Sequence, residues 1–268
     1  MFTRKSGEQV LVKAKVSDVV VDQIASQMVY QHSSHAAYGY GCTDCDAYPV
    51  REENGQRWPL KSGNLRHEDN NQIGLAVVPT AFAEIAPPSL MRLDGLHILD
   101  EGLVKSLLFL LFKEYKILEN IMVEINRSML KLGSSSLNLK TNAHETRRLF
   151  AICIPIIFVN EKHNVRVQIA CLFWLLCRLL YSKYLNTTMI DDISPLFEEI
   201  GALMGEILGN SFRTIKGHKF FGHGGAELKK HGTPADYSAA VYECANRLLK
   251  LLIDPYNTRG FDRQLLRK

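Results

Sequence analysis

No stretch of this sequence is apolar for long enough to cross a membrane. The longest uncharged apolar runs cover residues 149–159 and 169–177, against the roughly 20 residues a spanning helix needs. The opening residues, MFTRKSGEQ, are polar and lack the apolar centre of a secretory signal. These two absences predict a reducing compartment, cytosol or nucleus, and no membrane partner. Glycine and proline are sparse, at 18 and 9 of 268 residues, so long disordered tracts are not expected. Internal repeats and low-complexity tracts are absent as well. There are six cysteines, but without a secretory signal an even count is no argument for disulfides. Cys153, Cys171, Cys177 and Cys244 sit in apolar or helical-looking stretches and read as small core residues. Cys42 and Cys45 do not.

What is present is material for a core. Apolar residues make up 46% and charged residues 22% of the chain, enough for one large domain or two small ones. The net charge of +4 is unevenly spread: from residue 212 onward, eleven Lys/Arg face five Asp/Glu, a net of +6 that leaves −2 for the rest. Such a basic segment suits a phosphate backbone, although a solvated surface carries the same charges.

Residues 10–16 (VLVKAKV) alternate apolar and polar side chains and lead into Ser17 and Asp18, the pattern of a strand closed by a carboxylate. Residues 19–30 read as a helix. Residues 31–71 show no period and need a staple other than a core. From Asp94 the chain turns helical: Leu96, Leu99, Leu103, Leu107 and Leu110 fall at three- and four-residue spacing, with Asp94 placed as N-cap. Further helices are expected over 165–184 and from Ser194 and Pro195 to a stop at Gly209. Another is expected over 236–252, with Val241, Ala245, Leu248 and Leu252 as its stripe. Residues 131–142 are the best linker candidate.

Cys42 and Cys45 form a C-x2-C knuckle inside the irregular segment. Thiolates at that spacing can turn toward one tetrahedral metal, and zinc takes four such ligands. His218 and His223 can complete a Cys2His2 site that ties the irregular segment to the C-terminal region. Taken separately, the cysteines also fit a redox pair and the histidines a surface loop. Asp18 ends the expected strand and Glu243 lies on the helix over 236–252, away from its stripe. Carboxylates on a rigid strand and helix can hold a Mg2+ or Mn2+ pair for phosphoryl transfer. By themselves, Asp18 also fits a turn or cap, and Glu243 a surface pair with Arg247 four residues on. His97 is placed to reach back to Asp94 or toward the acidic site.

The order of these pieces resembles a group of cut-and-paste DDE transposases that includes the CACTA and hAT types, and is similar to the V(D)J recombinase catalytic core. Asp18 in KVSDVVVDQIA stands where the second catalytic Asp of that group ends a strand. Cys42 and Cys45 in YGYGCTDCDAYP match its C-x2-C, and Asp94 and His97 in RLDGLHILDEG its D-x2-H. In IKGHKFFGHGGAELKKHGTPADYSAAVYECANRLLK, His218 and His223 match the recombinase's zinc-binding pair, and Glu243 the closing catalytic Glu. Many transposon relatives set the two histidines one residue closer. The resemblance implies a mainly α chain with a small β part: a partial RNase H-like core carrying a large helical insertion. Residues 1–93 would hold the strand, helix and zinc knuckle, 94–214 the insertion, and 215–268 the closing helix of the core. It implies structural Zn2+, ancestral Mg2+ or Mn2+, and Asp18, Glu243 and His97 at the acidic site. DNA is the implied partner, a homo-oligomer is left open, and the nucleus is the compartment, with the cytoplasm as alternative.

The family's first catalytic Asp lies well upstream of the second, and the seventeen residues before Asp18 contain no Asp. The expectation is therefore an N-terminally truncated, transposase-derived chain that performs no strand transfer alone. The alternative is a non-catalytic, zinc-stabilised module that binds DNA or protein.

Overall fold

The computed structural model describes residues 2–3, 9–10, 19–20, 42, 44–53, 55–64, 85, 91–113, 142–182 and 184–234. Among these, the protein is mainly helical with a small β part. The strands are β1 (Phe2–Thr3), β2 (Gln9–Val10), β3 (Val19–Val20), β4 (Val50–Glu52), β5 (Gly55–Arg57) and β6 (Met91–Arg92). β1–β2 and β4–β5 pair antiparallel, whereas β3 pairs in parallel with β6. Val19 and Val20 are thus strand, not the start of the expected helix. Consecutive β-branched residues lose side-chain freedom in a helix and pack well in a ladder. Their partner strand also arrives from far downstream, out of reach of a local reading.

The leucine stripe after Asp94 is helical, as its spacing predicts. α1 (Leu96–Val104) is wound as a π-helix and runs directly into α2 (Lys105–Lys113). All five leucines of the stripe are buried. α3 (Ala143–Glu161) begins at Asn142, whose side chain accepts from the Glu145 N–H at 2.9 Å while the Glu145 carboxylate accepts from the Asn142 N–H at 3.0 Å. This capping box satisfies two otherwise orphaned donors. α4 (Val165–Leu180) is capped by Asn164, and α5 (Thr187–Ile193) by Asn186. α6 (Leu196–Ile207) follows Pro195, and Gly209, at φ 83°, makes the expected stop. Ser194 does not cap α6; its hydroxyl donates to the Ile190 carbonyl at 2.6 Å, closing α5 instead. After a 3-10 turn (Asn210–Phe212), α7 (Ile215–Gly217), the π-helical α8 (His218–His223) and α9 (Gly224–His231) run end to end. Among the described residues, no helix is long and apolar enough to cross a membrane.

One apolar core gathers Leu60 with residues of α1 to α6, α8 and α9, drawing on all three expected segments. Phe173 of α4 sits at its centre, with ring centroids 5.9 Å from Phe150, 5.9 Å from Phe220 and 5.8 Å from Phe221. Gly201 of α6 makes room for the last of these, since a β-carbon there would lie 2.6 Å from the Phe221 β-carbon. α8 is therefore driven into the core by two phenylalanines placed between its two histidines. Residues 11–16 of the expected strand, and the expected helix over 236–252, lie outside the described residues.

Candidate metal centre

Polar contacts help hold the described part of the irregular segment, residues 44–53 and 55–64. Between the knuckle and residue 58, β4 and β5 form a hairpin whose side chains are exposed or half-exposed. An isolated two-stranded hairpin is marginal in water, so its shape depends on what its ends are tied to. Asp46 ties one end to Asn64: its carboxylate accepts from the Asn64 backbone and side-chain N–H groups at 2.8 Å each. The Trp58 N–H donates to the Arg213 carbonyl at 2.8 Å. The close approach to the helices has its own requirement at Gly222, where a β-carbon would lie 2.8 Å from the Ser62 nitrogen.

This packing brings Cys42 and Cys45 to the histidines of α8. The sequence favours a loop there, because the glycines at 217, 222, 224 and 225 weaken a helix; tertiary packing overrides that preference. The π winding is what aligns the pair. In an α-helix, residues five apart point about 140° away from each other. Hydrogen bonding from residue i to i+5 instead stacks them, and the His218 and His223 rings lie 5.1 Å apart, edge to face.

Cys45 Sγ lies 3.4 Å from His218 Nε2, and Cys42 Sγ 3.4 Å from His223 Nε2, across 173 and 181 residues of sequence. All four ligand atoms fall within 4.8 Å of one another, and all four residues are buried. A tetrahedral zinc with bonds of about 2.3 Å to sulfur and 2.0–2.1 Å to nitrogen sets sulfur and nitrogen about 3.5 Å apart. The geometry fits. So does the chemistry of the donors: His218 Nδ1 donates to the Pro59 carbonyl at 2.8 Å, which leaves Nε2 as the lone-pair atom facing the sulfurs. Backbone N–H groups point at both sulfurs, Ala47 and Gly63 at Cys45 (3.4 and 3.3 Å) and Asp44 at Cys42 (3.4 Å). Such donors favour thiolates.

The hydrogen bond from Cys45 lowers the Cys42 pKa against the effect of burial, with help from Lys219, and the same bond raises Cys45. Lys219, buried on α8, pairs with Asp44 at 3.4 Å. Trp58 covers the centre, 5.3 Å from the His218 ring, and Ile215 packs beside it. Of the other described cysteines, Cys153 and Cys177 are buried in the core and Cys171 is half-buried against it; burial alone pushes Cys153 up to about 12.

The chain matches no family model, no curated protein and no solved structure.

Asp94 and His97 meet, one of the two placements open to His97 in the sequence. The Asp94 carboxylate accepts from the Leu96 N–H at 3.0 Å and bonds His97 Nδ1 with its other oxygen. Asp18 and Glu243 lie outside the described residues.

One titratable residue escaped the sequence reading. Glu227 of α9, in the polar-looking stretch GGAELKKH, is only 21% exposed. Burial, and then the Asp44 carboxylate, push it from 4.5 up to about 7, against Lys230, Arg92 and the Leu93 N–H. The folded chain thus holds this proton more tightly than the unfolded one, and stability falls as pH rises from about 4.5 to about 7. Glu227→Gln cannot ionise. It is expected to exceed wild type by on the order of 2 kcal/mol above pH 7, and to match it below pH ~4.5. Urea midpoints at pH 4 and pH 8 check this; a difference that does not change with pH contradicts it.

Proposed function

We propose that the chain derives from a DDE-type transposase with an RNase H-like core interrupted by a helical insertion, and that its Cys2His2 set holds a structural zinc. The observation that carries this reading is the clasp itself: two early cysteines and two late histidines meet around one point, in the order the resemblance sets. Two features support it. The parallel β3–β6 pair is of the kind an α/β core supplies, and a helical region follows it. The bonded Asp94–His97 pair opens that region.

In this reading Asp18 and Glu243 are carboxylates of the ancestral Mg2+ or Mn2+ site, His97 is an accessory residue, and DNA is the substrate. Divalent metal would supply activation of the attacking oxygen and charge stabilisation of the leaving one. The same buried Cys2His2 cluster also supports a second reading, a zinc-stabilised module that binds without catalysis.

Duplex binding and Mn2+ binding by wild type, Asp18→Asn, Glu243→Gln and Cys42→Ser separate the two. Expected for the transposase-derived chain is duplex binding that weakens about a hundredfold between 50 and 200 mM salt, as for about four neutralised phosphates. Mn2+ binding should weaken in both carboxylate variants, and duplex binding should be lost only in Cys42→Ser. Mn2+ binding indifferent to both carboxylates hands the case to the module. Absence of duplex binding removes DNA as the partner in either reading.

A further inference from the structure

α3 and α4 pack against each other, and Arg147, near the start of α3, reaches to the end of α4. Its Nε donates to Asp100 Oδ1 at 3.1 Å, and its Nη2 donates to Asp100 Oδ2. One face of the guanidinium rests on Tyr181, 4.0 Å from the ring centre. The remaining N–H groups are the two on Nη1 and the second on Nη2. None of them meets an acceptor among the described residues. The side chain is 42% exposed, and Nη1 is open to solvent.

An arginine side chain loses rotamer freedom when it binds, and Asp100 and Tyr181 have already taken that freedom from this one. Its outer edge is a fork of two parallel N–H bonds, the geometry that meets two oxygens of one oxyanion. Asp100 offsets the charge of Arg147, so neighbouring cations must supply the long-range attraction. His144, three residues before Arg147, shares its face of α3, and Arg178, three before Tyr181, lies on the last turn of α4. Arg148 follows Arg147, and all three are exposed. The nearest acids in sequence are Glu145, whose carboxylate is engaged by the Asn142 N–H, and Glu101, exposed beside Asp100.

We propose that Arg147 is the centre of an oxyanion site that takes a phosphate group, and that a DNA backbone supplies the phosphate. Asp100 and Tyr181 act as positioning residues that aim the fork. Cations spread along two helices suit the successive phosphates of one strand. The proposal deepens the DNA reading above and rests on it for the source of the phosphate.

The test uses the full zinc-loaded chain, titrated with a labelled duplex and separately with inorganic phosphate, while the Arg147 Nε–Hε resonance is followed. Saturation with duplex is expected to move that resonance in wild type. Arg147→Met combined with Asp100→Asn removes the guanidinium and the buried charge together. It should weaken duplex binding roughly tenfold, the weight of one charge-assisted pair, and lower the salt slope by about one. Arg178→Ala, on the exposed surface, should lower the slope by about one as well. An Arg147 resonance indifferent to duplex, or a double variant with wild-type affinity and slope, overturns the proposal while leaving DNA as a partner. Poly-glutamate that moves the resonance as well as duplex does overturns the phosphate assignment. Absence of duplex binding with a resonance still moved by phosphate removes DNA and keeps the oxyanion site. Silence toward both removes the site too.

Discussion

Removing zinc, or one of its ligands, is expected to lower the melting temperature by about 10–20 °C. The metal would close loops of 173 and 181 residues, and a cross-link across a loop that long removes about 5 kcal/mol of unfolded-chain entropy. For a protein of this size, 5 kcal/mol corresponds to a shift of that order. Structural zinc sites in small peptides bind with about 10–16 kcal/mol, comparable to the whole net stability of a domain, so the loss is not small on any scale. The effect has a place. None of the described residues of the hairpin over 50–57 joins the main core, whereas α2 to α6 keep their side chains in it. Chelation, or Cys42→Ser, should therefore melt the segment around the knuckle first and leave most helical signal intact. Acid should do the same, because thiolate and neutral imidazole must both be protonated as metal leaves. Calorimetry with and without chelator checks this; a shift within about 2 °C contradicts it.

Arg147→Met is expected to cost about 3 kcal/mol and to be worse at high pH than at low. Asp100, 1% exposed, receives a two-pronged grip from Arg147, with Nε on Oδ1 at 3.1 Å and Nη2 on Oδ2. The guanidinium also lies 4.0 Å from the centre of the Tyr181 ring. Breaking a buried pair costs about 3–5 kcal/mol, because the partner left behind is a charge without compensation. The lower end applies because Arg147 is half-exposed. Burial already raises the Asp100 pKa, and Arg147 is what opposes the rise. Without the arginine the rise grows, so stability is lost as pH climbs and is recovered in acid, where the carboxyl is neutral. Arg147→Met with Asp100→Asn should recover most of the loss. Equal urea midpoints for the single and double variants would contradict this account.

The parts of the fold that were legible share one property: their signal is local and periodic. The leucine stripe from Leu96 to Leu110 and the stop at Gly209 needed only spacing and a glycine at positive φ. α3 was missed because its apolar residues run consecutively around Pro155 rather than at helical spacing. Val19 and Val20 were misread because their partner lies in β6. At the site, the identities of the four ligands were legible from chemistry and order, but the reason His218 and His223 can serve together was not. Their five-residue separation is bridged here by a π turn whose Phe220 and Phe221 pack into the core. Glu227 gave no signal, because a glutamate among lysines looks solvated until α9 is laid against Leu93 and Asp94.

Zinc-edge X-ray absorption on the purified full chain asks directly whether four distant side chains share one ion. Expected is about one zinc per chain, with two sulfur neighbours at about 2.3 Å and two nitrogen neighbours at about 2.0–2.1 Å. A chain without zinc, or a shell of oxygens lacking sulfur, would contradict the clasp on which the whole account stands.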